Sequence, residues 1–229
     1  MEIIAEIGQN HNGSTTLAKE LIHAAKENGA DVAKFQIFNA KKLFSRKGNR
    51  WYKNNLAAEL SEKQIYELND ECKKVKIEFM ASIFQTEFLK ITESIKMKRY
   101  KIASRSVNDK KLINKIAKLN KPMILSLGMW NKDYFPFKEI KKIKYLFCVS
   151  KYPAPKSAIS FSKNFFKEYD GFSDHTIGIE KAKQSIQLGA KILEKHFTID
   201  KKLDGPDHRL SILPKELKLL HEFRLEKTK

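Results

Sequence analysis

Eight short β-type runs alternate with amphipathic helical stretches along this chain, and no other feature restricts its fold as much. The runs cover residues 3–7, 31–36, 77–82, 100–104, 123–128, 145–150, 171–175 and 192–197. Helical periodicity fills most of the gaps, over residues 15–28, 61–74, 85–94, 109–119, 180–188 and 214–224. A strand followed by a helix, repeated, is the sequence form of βα units around a parallel sheet, and eight units close a ring. The expectation is a single-domain (β/α)8 TIM barrel over residues 1–229, since such a barrel takes roughly 200–250 residues. An open doubly wound sheet is the alternative. It fits less well, because no early Gly-x-Gly-x-x-Gly turn is present and the strand count matches a closed ring.

Start and stop signals support these boundaries. Ser14 precedes the first helix, Ser61 with Gln64 forms a capping box before the second, and Asn108 or Asp109 opens the fourth. Gly29 and Gly189 fall where helices stop. Two connections are less regular. Residues 130–144 leave room only for a short helix, and two prolines with scattered Phe and Ser over residues 152–170 suggest irregular structure.

Composition excludes several classes. No apolar run approaches the ~18 residues of a membrane span, and Met1 leads into a strand, not a signal segment, so a cytoplasmic protein is expected. Cys72 and Cys148 stand far apart without Cys-x-x-Cys spacing and read as packing residues. The net charge of +18 would ordinarily raise nucleic-acid binding. Here the lysines are spread over presumed helices with no interleaved aromatics, so a solvated basic face is expected and no nucleic-acid partner. That excess can help attract an anionic substrate.

In a barrel of this kind the active site lies where the strands end, and almost every candidate strand ends polar. In order the tips offer Glu6, Lys34 with Gln36, Ser82, Lys101 with Ser104, Ser126, Ser150 with Tyr152, Ser173 with Asp174 and His175, and Glu194 with His196. Packing does not explain such a rim. Side chains two apart share a strand face, so Lys34 pairs with Gln36, Ser173 with His175 and Glu194 with His196. A lysine between Ala33 and Phe35 is costly to bury unless it is paired or faces an anion, which marks Lys34 as functional. The case for Lys101 is weaker because Lys98 and Arg99 make that stretch basic anyway. His175 and His196, from adjoining strands and with Asp174, Glu194, Asp207 and His208 near in sequence, suggest a divalent-metal site. His23 and His221 fall in helices and read as surface or packing residues, while His11 stays unassigned.

Several motifs stand in a fixed order: Ala5-Glu6-Ile7-Gly8 with Asn10-His11-Asn12-Gly13, Gly29-Ala30-Asp31 leading to Lys34-Phe35-Gln36, Lys101-Ile102-Ala103-Ser104, Ser126-Leu127-Gly128-Met129, Tyr152-Pro153-Ala154-Pro155, Ser173-Asp174-His175-Thr176, Glu194-Lys195-His196-Phe197 and Gly205-Pro206-Asp207-His208. In these the chain resembles the sialic acid synthases and their relatives that make pseudaminic and legionaminic acids, over nearly its whole length. The resemblance implies a metal-dependent condensation of phosphoenolpyruvate with N-acetylmannosamine or a close analogue to a nonulosonic acid, with release of phosphate. It implies that Lys34, Lys101, Ser104, Ser126 and Ser173 grip phosphoenolpyruvate, with Gln36 and Ser82 beside them. His175 and His196 correspond to ligands of Mn2+ or Mg2+, Glu6 to the group that manages protons, and Tyr152 and Asp207 to sugar contacts. Ser150 stands where some relatives carry asparagine.

Three departures are visible. Ala103 replaces the glycine usual before the serine, and Ser82 replaces the usual threonine. Most members of the family also continue past the barrel into an antifreeze-like domain, which reaches into the partner subunit and supplies an arginine to the sugar site, whereas this sequence stops at Lys229. The expectation is the barrel domain alone, with a homodimer through the barrel and a separate lid-supplying chain as candidate partners. A barrel with a different sugar substrate and a catalytically idle barrel that serves as a binding partner in a surface-sugar pathway remain open. The contacts that would name the sugar fall in the loops around residues 38–51 and 130–137.

Overall fold

The computed structural model describes residues 1–228, and the side chain of Thr228 is not among what it describes. Eight parallel strands close a barrel in sequence order: β1 (Glu2–Gly8), β2 (Val32–Ile37), β3 (Glu78–Ile83), β4 (Tyr100–Ile102), β5 (Met123–Ser126), β6 (Ile143–Cys148), β7 (Gly171–Asp174) and β8 (Ile192–His196). The expected barrel is therefore the observed fold. The last five strands, β4 to β8, end earlier than the sequence suggests, so Ser104, Ser150 and His175 lie just beyond the last ladder residue of β4, β6 and β7.

The helices are α1 (Thr15–Glu27), α2 (Ala40–Leu43), α3 (Tyr52–Ala57), α4 (Glu62–Lys74), α5 (Leu89–Ser94), α6 (Lys110–Ala117), α7 (Phe165–Glu168), α8 (Glu180–Gln187) and α9 (Pro214–Thr228). Their caps follow the sequence. Ser14 accepts from Leu17 N at 3.2 Å, Ser61 and Gln64 form the reciprocal capping box, and Asp109 accepts from Leu112 N at 2.9 Å. Gly29 and Gly189 end α1 and α8 with φ of +90° and +91°, a backbone state that costs other residues energy.

The anticipated short helix over residues 130–144 is absent from the described structure, which has turns and bends there until β6 begins at Ile143. The outer face of β6 explains this. Tyr145 and Phe147, which a helix would normally cover, pack against Phe135, Phe161, Phe165 and Tyr169 with ring centroids 4.7–5.9 Å apart. Aromatic rings from the connections thus do the work of a helix on this side of the barrel.

Two apolar layers hold the fold. Between sheet and helices lies the large core, drawn from outward residues such as Ala5, Phe35, Ala81, Ile102, Leu125 and Leu193. Inside the ring, Ile4, Val32, Met80, Ile124, Leu146 and Ile192 form a separate plug. No helix among the described residues is long and apolar enough to cross a membrane.

Candidate active site

The plug fixes which side chains can form a site. Two residues further along each of those six strands, on the same inward face, stand Glu6, Lys34, Ser82, Ser126, Cys148 and Glu194. Lys101 and Ser173 complete this layer from β4 and β7, in register with Ser82 and Glu194. Above the apolar plug the lumen is therefore lined by charge.

The layer is internally paired. Lys34 Nζ lies 2.5 Å from Glu6 and 3.5 Å from Glu194, and donates to Ser82 Oγ at 2.9 Å. Lys101 Nζ lies 3.2 Å from Glu194 and donates to Ser126 Oγ at 2.8 Å. Ser173 Oγ donates to Glu194 at 2.8 Å, and Gln36 Nε2 donates to Glu6 at 2.8 Å. All four charged residues are at most 5% exposed.

Burial and pairing set the protonation states. Burial alone pushes the Glu194 carboxyl up, but Lys101 and Lys34 outweigh it and hold the group at about 2. Glu6 goes the other way, because burial and the neighbouring Glu194 raise it more than Lys34 lowers it. Burial opposes the charge on Lys34, yet Glu194 and Glu6 overcome this and raise it. For Lys101 burial wins, and its ammonium loses its proton more readily than an ordinary lysine. An incoming anion would reverse that tendency.

Glu194 is the residue whose role the sequence hides. Its parity with His196 is visible in the chain, but its place between Lys34 and Lys101 depends on three strands meeting across the lumen. Asp174, in contrast, faces away from the lumen toward the helices, where it pairs with Lys195 at 2.8 Å.

The rim stands above this layer. Ser150 Oγ donates to Ser104 Oγ at 2.9 Å. Tyr152, half exposed, lies with its ring centroid 4.3 Å from that of His175 and 6.1 Å from that of His196. The two imidazoles are 5.5 Å apart, and Asp207 reaches within 3.7 Å of His196 Nδ1. Burial, helped by Glu6, pushes the Asp207 carboxyl up to about 7. Of the expected strand-tip residues all but Asp174 thus fall in the charged layer or on its rim. His11 is fully buried near Phe35, its Nδ1 accepting from Gly13 N at 3.1 Å, while His208 bonds Thr198 at 2.8 Å.

The histidine pair fits a divalent cation that keeps open positions. Burial lowers His175 to about 4 and His196 well below its ordinary value, so both are neutral, as ligands must be. His175 Nδ1 faces the Val149 carbonyl at 3.2 Å, which leaves Nε2 free, and His196 Nδ1 is buried without a hydrogen bond. No three His, Cys, Asp or Glu side chains converge as ligands among the described residues. Further ligands would have to be water or substrate oxygens.

A cleft of about 570 Å3 opens over the layer, bounded by Gln9, Gln36, Asn55, Ser104, Ser150, Tyr152, His196 and Asp207 deep down and by Phe44, Arg50, Trp51, Arg105 and Met129 at its mouth. That volume accommodates a small organic ligand.

Barrel, charged floor and histidine pair define a class that comparison with known proteins makes specific. Residues 21–227 match the NeuB family. The chain belongs to that family. An N,N'-diacetyllegionaminic acid synthase of Campylobacter jejuni is 38% identical over 95% of this chain and 73% of its own length. An uncharacterised protein of Methanocaldococcus jannaschii is also 38% identical, over 97% of this chain and 70% of its own. Among solved structures, the N-acetylneuraminic acid synthetase of Leptospira borgpetersenii superposes with a TM-score of 0.88 at 32% identity, covering 98% of this chain and 82% of that one.

Proposed function

We propose that this barrel condenses phosphoenolpyruvate with the open-chain aldehyde of an N-acetylmannosamine-type sugar, forming a nonulosonic acid and releasing phosphate. The observation that carries the reading is the buried floor of Lys34, Lys101, Glu6 and Glu194 with its ring of serines, in a chain whose named relatives make legionaminic and N-acetylneuraminic acids. Phosphoenolpyruvate carries a phosphate and a carboxylate, and Lys34 and Lys101 supply fixed cations for them. Ser104, Ser126 and Ser173 supply hydroxyl donors, and Gln36 and Ser82 hold the lysine and Glu6 in place.

The chemistry forms one carbon–carbon bond and exchanges the carbon–oxygen bond to phosphate for one to water. The methylene carbon of phosphoenolpyruvate attacks the aldehyde carbon, water adds at the carbon bearing the phosphate, and phosphate leaves with its bridging oxygen. Glu6, whose carboxyl is held above its ordinary value by burial, takes a proton from the water or gives one to the new alkoxide oxygen. Tyr152, Ser150 and Asp207 at the rim orient the sugar. His175 and His196 would hold the divalent cation, which as a Lewis acid polarises the aldehyde; two nitrogen donors favour Mn2+ over Mg2+.

Glu6→Gln removes the proton carrier while keeping the bond to Gln36 possible. Phosphate release in the presence of manganese and a panel of N-acetylmannosamine and diacetamido-trideoxyhexoses is expected to fall at least a hundredfold. Full activity in this variant would reject the assignment of Glu6.

A second reading concerns the acceptor. Arg50 and Arg105 line the mouth without a carboxylate partner among the described residues, Arg50 stacked on Trp51 and Arg105 on Phe44 at 4.7 and 5.2 Å. Unpaired guanidinium groups there favour a sugar with an acidic substituent. Turnover of N-acetylmannosamine 6-phosphate in preference to the neutral sugar would establish that version.

A further inference from the structure

We propose that the buried pair Lys195–Asp174, on the helix-facing side of β7 and β8, is the device that positions His175. Around the charged layer the outward residues of the other strands are apolar: Ala5, directly opposite Lys195, and Phe35, Ala81, Ile102, Leu125 and Phe147. Only β7 and β8 place charges among these outward residues, with Asp174 1% and Lys195 2% exposed. Apolar residues of similar volume would pack there as well or better, so stability alone gives no reason for an ion pair at this depth.

Geometry supplies one. The β7–β8 ladder runs Ser173 opposite Glu194 and Asp174 opposite Lys195, and β7 then ends. His175 lies one residue beyond, where no strand partner orients it. Asp174 Oδ1 accepts from Thr176 N at 2.8 Å, and its Oδ2 accepts from Lys195 Nζ at 2.8 Å. The same ammonium donates to the Thr176 carbonyl at 2.8 Å. The residues on both sides of His175 are thereby tied to one point on β8, next to His196. On the inner side Ala154 N donates to the His175 carbonyl at 2.9 Å, and the ring meets Val149 O. With the chain pinned on both sides, the imidazole has one orientation and one preferred tautomer, with the proton on Nδ1 toward the Val149 carbonyl and Nε2 left free. Lys195 and Asp174 are positioning residues, and their bearing on metal binding rests on the function proposed above.

Lys195→Met alone strands a buried carboxylate and risks unfolding, so the informative variant is the double replacement Asp174→Leu with Lys195→Met. Lys195→Arg is the second arm. It keeps the charge, but a planar guanidinium cannot reproduce both ammonium bonds. Two readouts are taken on folded, metal-free protein: the 15N spectrum of the His175 ring and the dissociation constant for Mn2+ by calorimetry. The expected result is a single Nδ1-protonated tautomer in the wild type, mixed or broadened ring signals in the double variant, and Mn2+ binding weakened at least tenfold, with Lys195→Arg in between. Ring signals and Mn2+ affinity unchanged in both variants would overturn the proposal and leave the pair a structural feature. If the wild type takes up no Mn2+ while the ring signals still change, the positioning role stands and the metal reading falls.

Discussion

Each site residue is defined as much by its neighbours as by its own chemistry, and His11 shows how pH enters. Buried and neutral, it is held at about 4 by its loss of solvation, against an ordinary value of 6.5. Between those values the unfolded chain binds the proton and the folded chain does not, so stability falls as pH drops from about 6.5 toward 4. The full loss is about 3 kcal/mol for this one group. His11→Gln is expected to be less stable at neutral pH yet to show a flatter dependence of urea midpoint on pH across that window. An unchanged slope would show that other groups carry it. The sequence left His11 unassigned because nothing in its loop position indicates that the ring is packed away. Lys34 was legible for the opposite reason, since an inward lysine in an apolar strand demands a counter-charge. Its partners were not, because Glu6 meets it only through the register of β1 on β2 and Glu194 only across the closed ring.

At the scale of elements, the eight strands and the helices α1, α4, α5, α6, α8 and α9 were readable from periodicity and caps, as Ser61 with Gln64 illustrates. The short helices α2, α3 and α7 have too few turns to show a periodic face. The missing helix after β5 was unreadable because its substitute is a set of rings brought together from residues 135–172. If these rings replace a helix, truncating the central one should be as costly as a large core deletion. Phe147, which contacts Phe161, Phe165, Tyr169 and Phe172, is the test. Phe147→Ala is expected to lose about 3–5 kcal/mol in chemical denaturation, while a loss under 1 kcal/mol would mean that the cluster is loose covering.

For the whole molecule, ring closure turns separate sequence features into one site. β1 pairs with β8 from Glu2 to Glu6, and Arg224 on α9 bonds Asp31 and the Met1 and Gly29 carbonyls, fastening the last helix over the first βα unit. This closure brings Glu6 beside His196, while β2 on the other side of β1 sets Lys34 beside Glu6. The order of motifs along the chain was enough to indicate the family, while the identity of the sugar depends on loops whose shape no motif encodes. The central claim is that the charged floor joins phosphoenolpyruvate to an amino-sugar aldehyde. Its most direct test is mass spectrometry of the reaction mixture, with manganese, phosphoenolpyruvate and each sugar of the panel. A product whose mass equals sugar plus pyruvate, formed one for one with released phosphate, is the predicted result. No such product from any sugar, with the protein folded and phosphoenolpyruvate bound, would contradict it.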